Sequence, residues 1–228
     1  AALPSTERER QFARAVAAWV EGDSAGAIAL DAATLAEHPR DLSALKLAQY
    51  HAFNLGDSPT MLRLALTALP AANDVAWLHG MLAFAWEQCH RLQEAERSAR
   101  HALSMWPAEP WAQHALAHVL LTEGRLGEGA AFLSAVSHQW QGLTSFMRSH
   151  NWWHLALFHL EMGEDAQAMA LYDREVWGVD KTYTQDQVGA VSLLARLELA
   201  GVAVGERWDE LGQWLAARTH DQVQPLLD

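Results

Sequence analysis

The sequence predicts an all-α fold, a right-handed α-solenoid of about six helix-turn-helix repeats, and three observations carry that expectation. Glycines recur after apolar helical stretches at Gly22, Gly56, Gly124, Gly163 and Gly201, and Arg91 occupies the same kind of turn without a glycine; successive separations are 34, 35, 33, 39 and 38 residues. Short Ala-rich stretches with helical spacing follow most of these turns. No strand alternation or hairpin signal interrupts the pattern.

Each element follows from this ruler. After Gly22, "DSAGAIALDAATLAEHP" reads as a helix ended by Pro39; after Gly56, a shorter helix ends at Pro70; after Arg91, "RLQEAERSARHALSMWP" ends at Pro107. "RLGEGAAFLSAV" and "EDAQAMALYD" follow Gly124 and Gly163. Ala27, Gly129 and Ala168 fall five residues after the turn glycine, and Ala95 four after Arg91, where close helix crossing demands a short side chain. A period near 34 with a central turn and a closing proline is tetratricopeptide-repeat spacing. The last two intervals are longer, and the extra residues fall near 140–149 and 174–185, where a solenoid places loops. The whole of 1–228 is thus expected as one repeat domain. The chain opens on Ala, and "DQVQPLLD" ends it without a polar capping helix, so a fragment or pairing with a second copy is expected.

Composition narrows the function classes. Of 228 residues, 50% are hydrophobic and 19% charged, with a net charge of −12, which excludes a disordered chain and argues against nucleic acid as partner. The longest run without Asp, Glu, Lys or Arg, Gly129 to Met147, is broken by Ser, His and Gln, so no membrane span is expected. The single Cys89 excludes an internal disulfide and suits a reducing, cytoplasmic location.

The runs "EHPRDLSALKLAQYHAFNLGD", "GMLAFAWEQCHRLQEAERSARHALSMWPAEPWAQHALAHVL", "HNWWHLALFHLEMGEDAQAMALYD" and "LARLELAGVAVGERW" resemble the tetratricopeptide repeat protein 38 family and its bacterial relatives. "WAQHALAH" and "HNWWHLAL" are the most specific pieces, and the resemblance covers nearly the whole chain. It implies an all-α repeat fold in a soluble protein that is a short form or a segment of a longer chain. It brings no reaction or ligand.

The candidate site is argued from the residues. His114 and His118 lie four apart, as do His150 and His154, and residues four apart project from one helix face. Such pairs can chelate a divalent metal such as zinc, although Ala115 and Asn151 stand where a metalloprotease carries its glutamate. Trp111, His114 and His118 precede Gly124 by 13, 10 and 6 residues, and His150, Trp153 and Leu157 precede Gly163 by the same distances. By fold analogy these positions line a concave groove. The expected metal set is therefore His114, His118 and His150, with His154 turned about 100° toward the packed side unless the preceding insertion rotates it back. Equivalent positions extend the groove to Trp77, Gly80 and Phe84, to Ser43, Lys46 and Tyr50, and to Glu9, Phe12 and Val16, with Gly80 leaving a recess for a ligand. Trp19, Trp86, Trp106, Trp140, Trp152, Trp177, Trp208 and Trp214 are expected in packing. Cys89 beside His90 is a structural thiol, because adjacent helical residues diverge. Asp173 either ends a helix or orients a histidine.

The preferred function is a helical-repeat module binding a peptide, protein or small molecule in a His/Trp-lined groove formed by Trp77, Phe84, Tyr50, Trp111, His114, His118, His150, Trp153 and His154. Two readings stand beside it: an enzyme of unassigned reaction using the histidines, and a self-associating scaffold.

Overall fold

The computed structural model describes residues 5–216; the "DQVQPLLD" end expected to lack a cap lies outside the described residues. Among these, twelve α-helices and no strand are found. They alternate along the chain as leading and following helices: α1 (Glu7–Val20) and α2 (Ser24–Glu37), α3 (Leu42–Asn54) and α4 (Ser58–Ala72), α5 (Ala76–Gln88) and α6 (Leu92–Met105), α7 (Pro110–Thr122) and α8 (Leu126–Val136), α9 (Ser145–Glu161) and α10 (Asp165–Leu171), and α11 (Thr184–Leu199) and α12 (Arg207–Leu215). No helix among the described residues is long and apolar enough to cross a membrane. The chain divides into two compact units between Leu116 and Ala117, within the unbroken helix α7.

Local chemistry sets the helix ends. Thr6 and Glu9 form a reciprocal capping box at α1, and Asp23, Asp41 and Asp57 each accept a backbone N–H at the starts of α2, α3 and α4. The turn glycines Gly22, Gly56, Gly124, Gly163 and Gly201 all have positive φ, between 69° and 85°. The residue standing among them is His90, at φ 56°, and not the neighbouring Arg91 expected from sequence. With His90 as the marker, the first three intervals are each 34 residues. The left-handed turn therefore tolerates an imidazole at some strain. Pro70 does not end its helix: it lies inside α4, which runs on to Ala72.

Packing follows the small residues. In the first unit, Leu35, Leu45, Leu64, Leu78, Met81 and Leu82 form a buried cluster, and Ala27 and Ala95 are fully buried. In the second unit, the Phe158 ring lies where a Cβ on Gly129 would stand, at 2.2 Å, so only glycine admits this α8–α9 approach. The segment expected as an insertion near 140–149 holds a 3-10 turn over Ser137–Gly142 and the start of α9. The one near 174–185 begins inside a π-helical turn, Tyr172–Val176. Of the tryptophans expected in packing, Trp140 and Trp177 are buried, whereas Trp19, Trp106 and Trp214 are about two-fifths exposed.

Candidate functional site

In the first unit, the leading helices of successive pairs enclose a cavity of about 360 Å³. Its walls are Phe12 of α1, Leu42, Ser43, Lys46 and Leu47 of α3, Trp77 and Met81 of α5, Trp111 of α7, and Glu109 immediately before α7. Trp77 is 54% exposed and stacks parallel to Trp106, with ring centroids 5.9 Å apart. The Lys46 ammonium sits 3.2 Å above the Trp111 ring, a cation–π contact that fixes both side chains. A mostly apolar and aromatic wall with two charged groups is the lining expected of a ligand pocket.

Glu109 was not singled out by sequence reasoning. It is 1% exposed, and its carboxylate accepts the backbone N–H of Trp111 at 3.3 Å and that of Ala112, capping the first turn of α7. A Cβ on Gly80 would meet its Oε2 at 2.2 Å. The recess expected at Gly80 is thus filled by the Glu109 carboxylate, and the glycine serves that approach instead of a ligand. The signal was available in "AEPW", an acidic residue directly before a proline that opens a helix. Burial pushes the Glu109 carboxyl up to about 7, against the pull of its two cap bonds and of Lys46. Burial likewise pushes Lys46 down to about 8, opposed by the charge of Glu109.

In the second unit, three histidines converge. His154 Nε2 lies 3.1 Å from His118 Nε2 and 3.1 Å from His150 Nε2. His154 is 2% exposed and His118 nearly as buried. Of the two orientations open to His154 from the sequence, the structure has the one rotated toward the other histidines, and its ring is the central one. His150 is held parallel between Phe146 and Trp153, with centroids 5.0 and 5.5 Å away. The nitrogens of His118, His150 and His154 lie within 4.8 Å of one another, close enough to hold a metal ion.

The remaining sequence candidates have other surroundings. His114 is buried, its ring 5.5 Å from Phe84 and 5.7 Å from Trp111. Tyr50 packs with Trp19 and His51, and Phe84 with Phe53. None of His114, Tyr50 and Phe84 lines the cavity. Trp153 is 3% exposed, placed as a packing residue with Arg196 over its ring. Asp173 meets no histidine; it pairs with Arg207 through both oxygens at 2.7 and 2.6 Å. Burial pushes the Cys89 thiol up, consistent with a structural role. Asp186, also missed from sequence, is buried and accepts from Ser149 at 2.7 Å and from Ser145, tying α11 to α9.

No family model matches the chain. Solved structures do. A thermophilic tetratricopeptide-repeat protein from Thermus thermophilus superposes with a TM-score of 0.65 at 20% identity, over 82% of this chain and 99% of that one. PilW, a type IV pilus biogenesis factor, gives 0.66 at 15% identity over 97% of each chain. BtubC from P. vanneervenii gives 0.61 at 14% identity over 98% of this chain and 97% of that one. At these identities the likeness concerns the fold, which is the all-α tetratricopeptide-type helical repeat.

Proposed function

We propose that this chain is a helical-repeat binding module that receives an apolar or aromatic side chain of a peptide or protein partner in the cavity of its first unit. The carrying observation is that cavity, walled by Phe12, Trp77 and Trp111, with the Lys46 ammonium and the Glu109 carboxyl as its polar groups. Rigid aromatic walls supply contact area at low entropic cost, and two fixed polar groups orient the ligand's backbone or termini. The resemblance to the tetratricopeptide repeat protein 38 family and a cytoplasmic location belong to the same reading. So does a divalent metal such as zinc at the histidines of α7 and α9, none of which lines the cavity.

The test is selection of peptides from a displayed random library, followed by affinity measurement on variants. Selected peptides should lose at least tenfold in affinity on Trp111→Ala and on Trp77→Ala, with folding intact by circular dichroism. Binders indifferent to both substitutions would place the partner surface elsewhere and defeat the proposal.

A further inference from the structure

We infer that His118, His150 and His154 of the second unit hold one divalent transition-metal ion, with His154 as the ligand shared between the other two. This deepens the reading of the histidine cluster as a metal seat by naming its ligands and its metal class; it does not depend on the cavity of the first unit.

The first argument is distance. Two nitrogens bound to one zinc at about 2.0–2.1 Å lie about 2.9–3.4 Å apart for bond angles of about 90–110°. The separations of His154 Nε2 from His118 Nε2 and from His150 Nε2, 3.1 Å each, fall inside that range. The three side chains each offer a nitrogen within 4.8 Å of the others. One ion can therefore meet all three with little rearrangement.

The second argument is valence. A neutral imidazole nitrogen is either one donor or one acceptor. His154 Nε2 faces the ring nitrogens of both His118 and His150, and a single N–H or lone pair there can serve only one of these two contacts at a time. One metal ion accepts a lone pair from each of the three imidazoles at the same time. The rings are also preset: His150 is fixed between Phe146 and Trp153, and His118 and His154 are held in a nearly buried site, so little rotamer freedom is lost on binding. Three imidazoles without a carboxylate select zinc, cobalt, nickel or copper over magnesium or calcium. His114 is not required, since its ring packs on Phe84 and Trp111.

The test uses Co(II) as probe on the full chain, stripped of metal and carrying no affinity tag. Saturable one-to-one binding should appear by calorimetry, with ligand-field absorption in the visible and with Mg(II) failing to compete. His154→Gln should weaken Co(II) binding at least a hundredfold and His118→Gln or His150→Gln at least tenfold, while His159→Gln, whose parent ring pairs with Glu164 at 2.6 Å, should bind as the wild type does. Helix content and the urea midpoint are followed in each variant; if His154→Gln fails to fold, the His118→Gln/His150→Gln double variant carries the comparison. Absence of saturable binding overturns the metal seat altogether. Saturable binding unchanged by His154→Gln, or by the double variant, leaves a metal site but overturns this ligand set.

Discussion

Substituting Gly80 tests the close approach of Glu109, a residue of the cavity wall, to α5. Gly80 lies inside α5, where alanine is favoured over glycine by about 0.5–1 kcal/mol when nothing opposes it. Here the new Cβ would stand 2.2 Å from Glu109 Oε2, 2.9 Å from its Cδ and 3.4 Å from the Ala112 nitrogen. The carboxylate must therefore move from a site that is 1% exposed. Loss of the α7 cap costs about 0.5–2 kcal/mol, and parting a buried carboxylate from its donors costs about 1–3 kcal/mol more. Against the propensity gain, Gly80→Ala should destabilise by about 1–3 kcal/mol net. In a Glu109→Ala background the obstruction is gone, and the same change should stabilise by about 0.5–1 kcal/mol. Urea denaturation of the four proteins, followed by far-ultraviolet circular dichroism, gives the coupling as a double-mutant cycle, expected at about 2–4 kcal/mol. If Gly80→Ala stabilises equally in both backgrounds, the close approach of Glu109 to α5 is wrong.

Three further outcomes are expected. His90→Gly should raise stability by about 1 kcal/mol in urea melts, because His90 holds the positive φ that glycine holds at the other turns; destabilisation would show that the imidazole compensates its strain. Lys46→Met should stabilise the fold at pH 7 by on the order of 1–3 kcal/mol. Burial lowers the folded pKa to about 8 from 10.5, so the cost of the charge is fully present below pH 8 and vanishes as pH rises through 10.5; a gain that does not shrink across that window would refute the assignment. Asp31 is 1% exposed with no hydrogen-bond partner, and burial, with the charge of Asp41 adding to it, pushes its carboxyl up to about 7. Its folded pKa lies above the unfolded value, so stability is lost as pH rises from about 4 through about 7; Asp31→Asn should stabilise by on the order of a few kcal/mol at pH 8 and by much less at pH 5, and equal gains at the two pH values would contradict this.

The fold was legible because its signals are local. Turn glycines need a positive φ, and crossing positions need small side chains, so both recur at fixed offsets wherever a helix pair closes. The register also named Phe12, Ser43, Lys46, Trp77 and Trp111, five residues of the cavity wall, since one helix period places them on the same face of successive leading helices. What it could not supply lies off that period. Glu109 precedes its helix, so no count from a turn glycine reaches it. The orientation of His154 stayed open because Ser137–Gly142 and the lengthened start of α9 come between the histidine pairs, and a shift of one residue turns a side chain by about 100°. Trp153 occupies a groove position by count yet is packed under Arg196, a contact from α11 that spacing within α9 cannot foresee.

The central claim is that the cavity of the first unit takes a partner's side chain, and the most direct measurement is a titration of the indole N–H signals by heteronuclear NMR with a library-selected peptide. Trp77 and Trp111 should shift progressively and saturably, while Trp140 and Trp177, buried in the second unit, stay in place. Saturable binding with Trp77 and Trp111 unmoved would contradict the account.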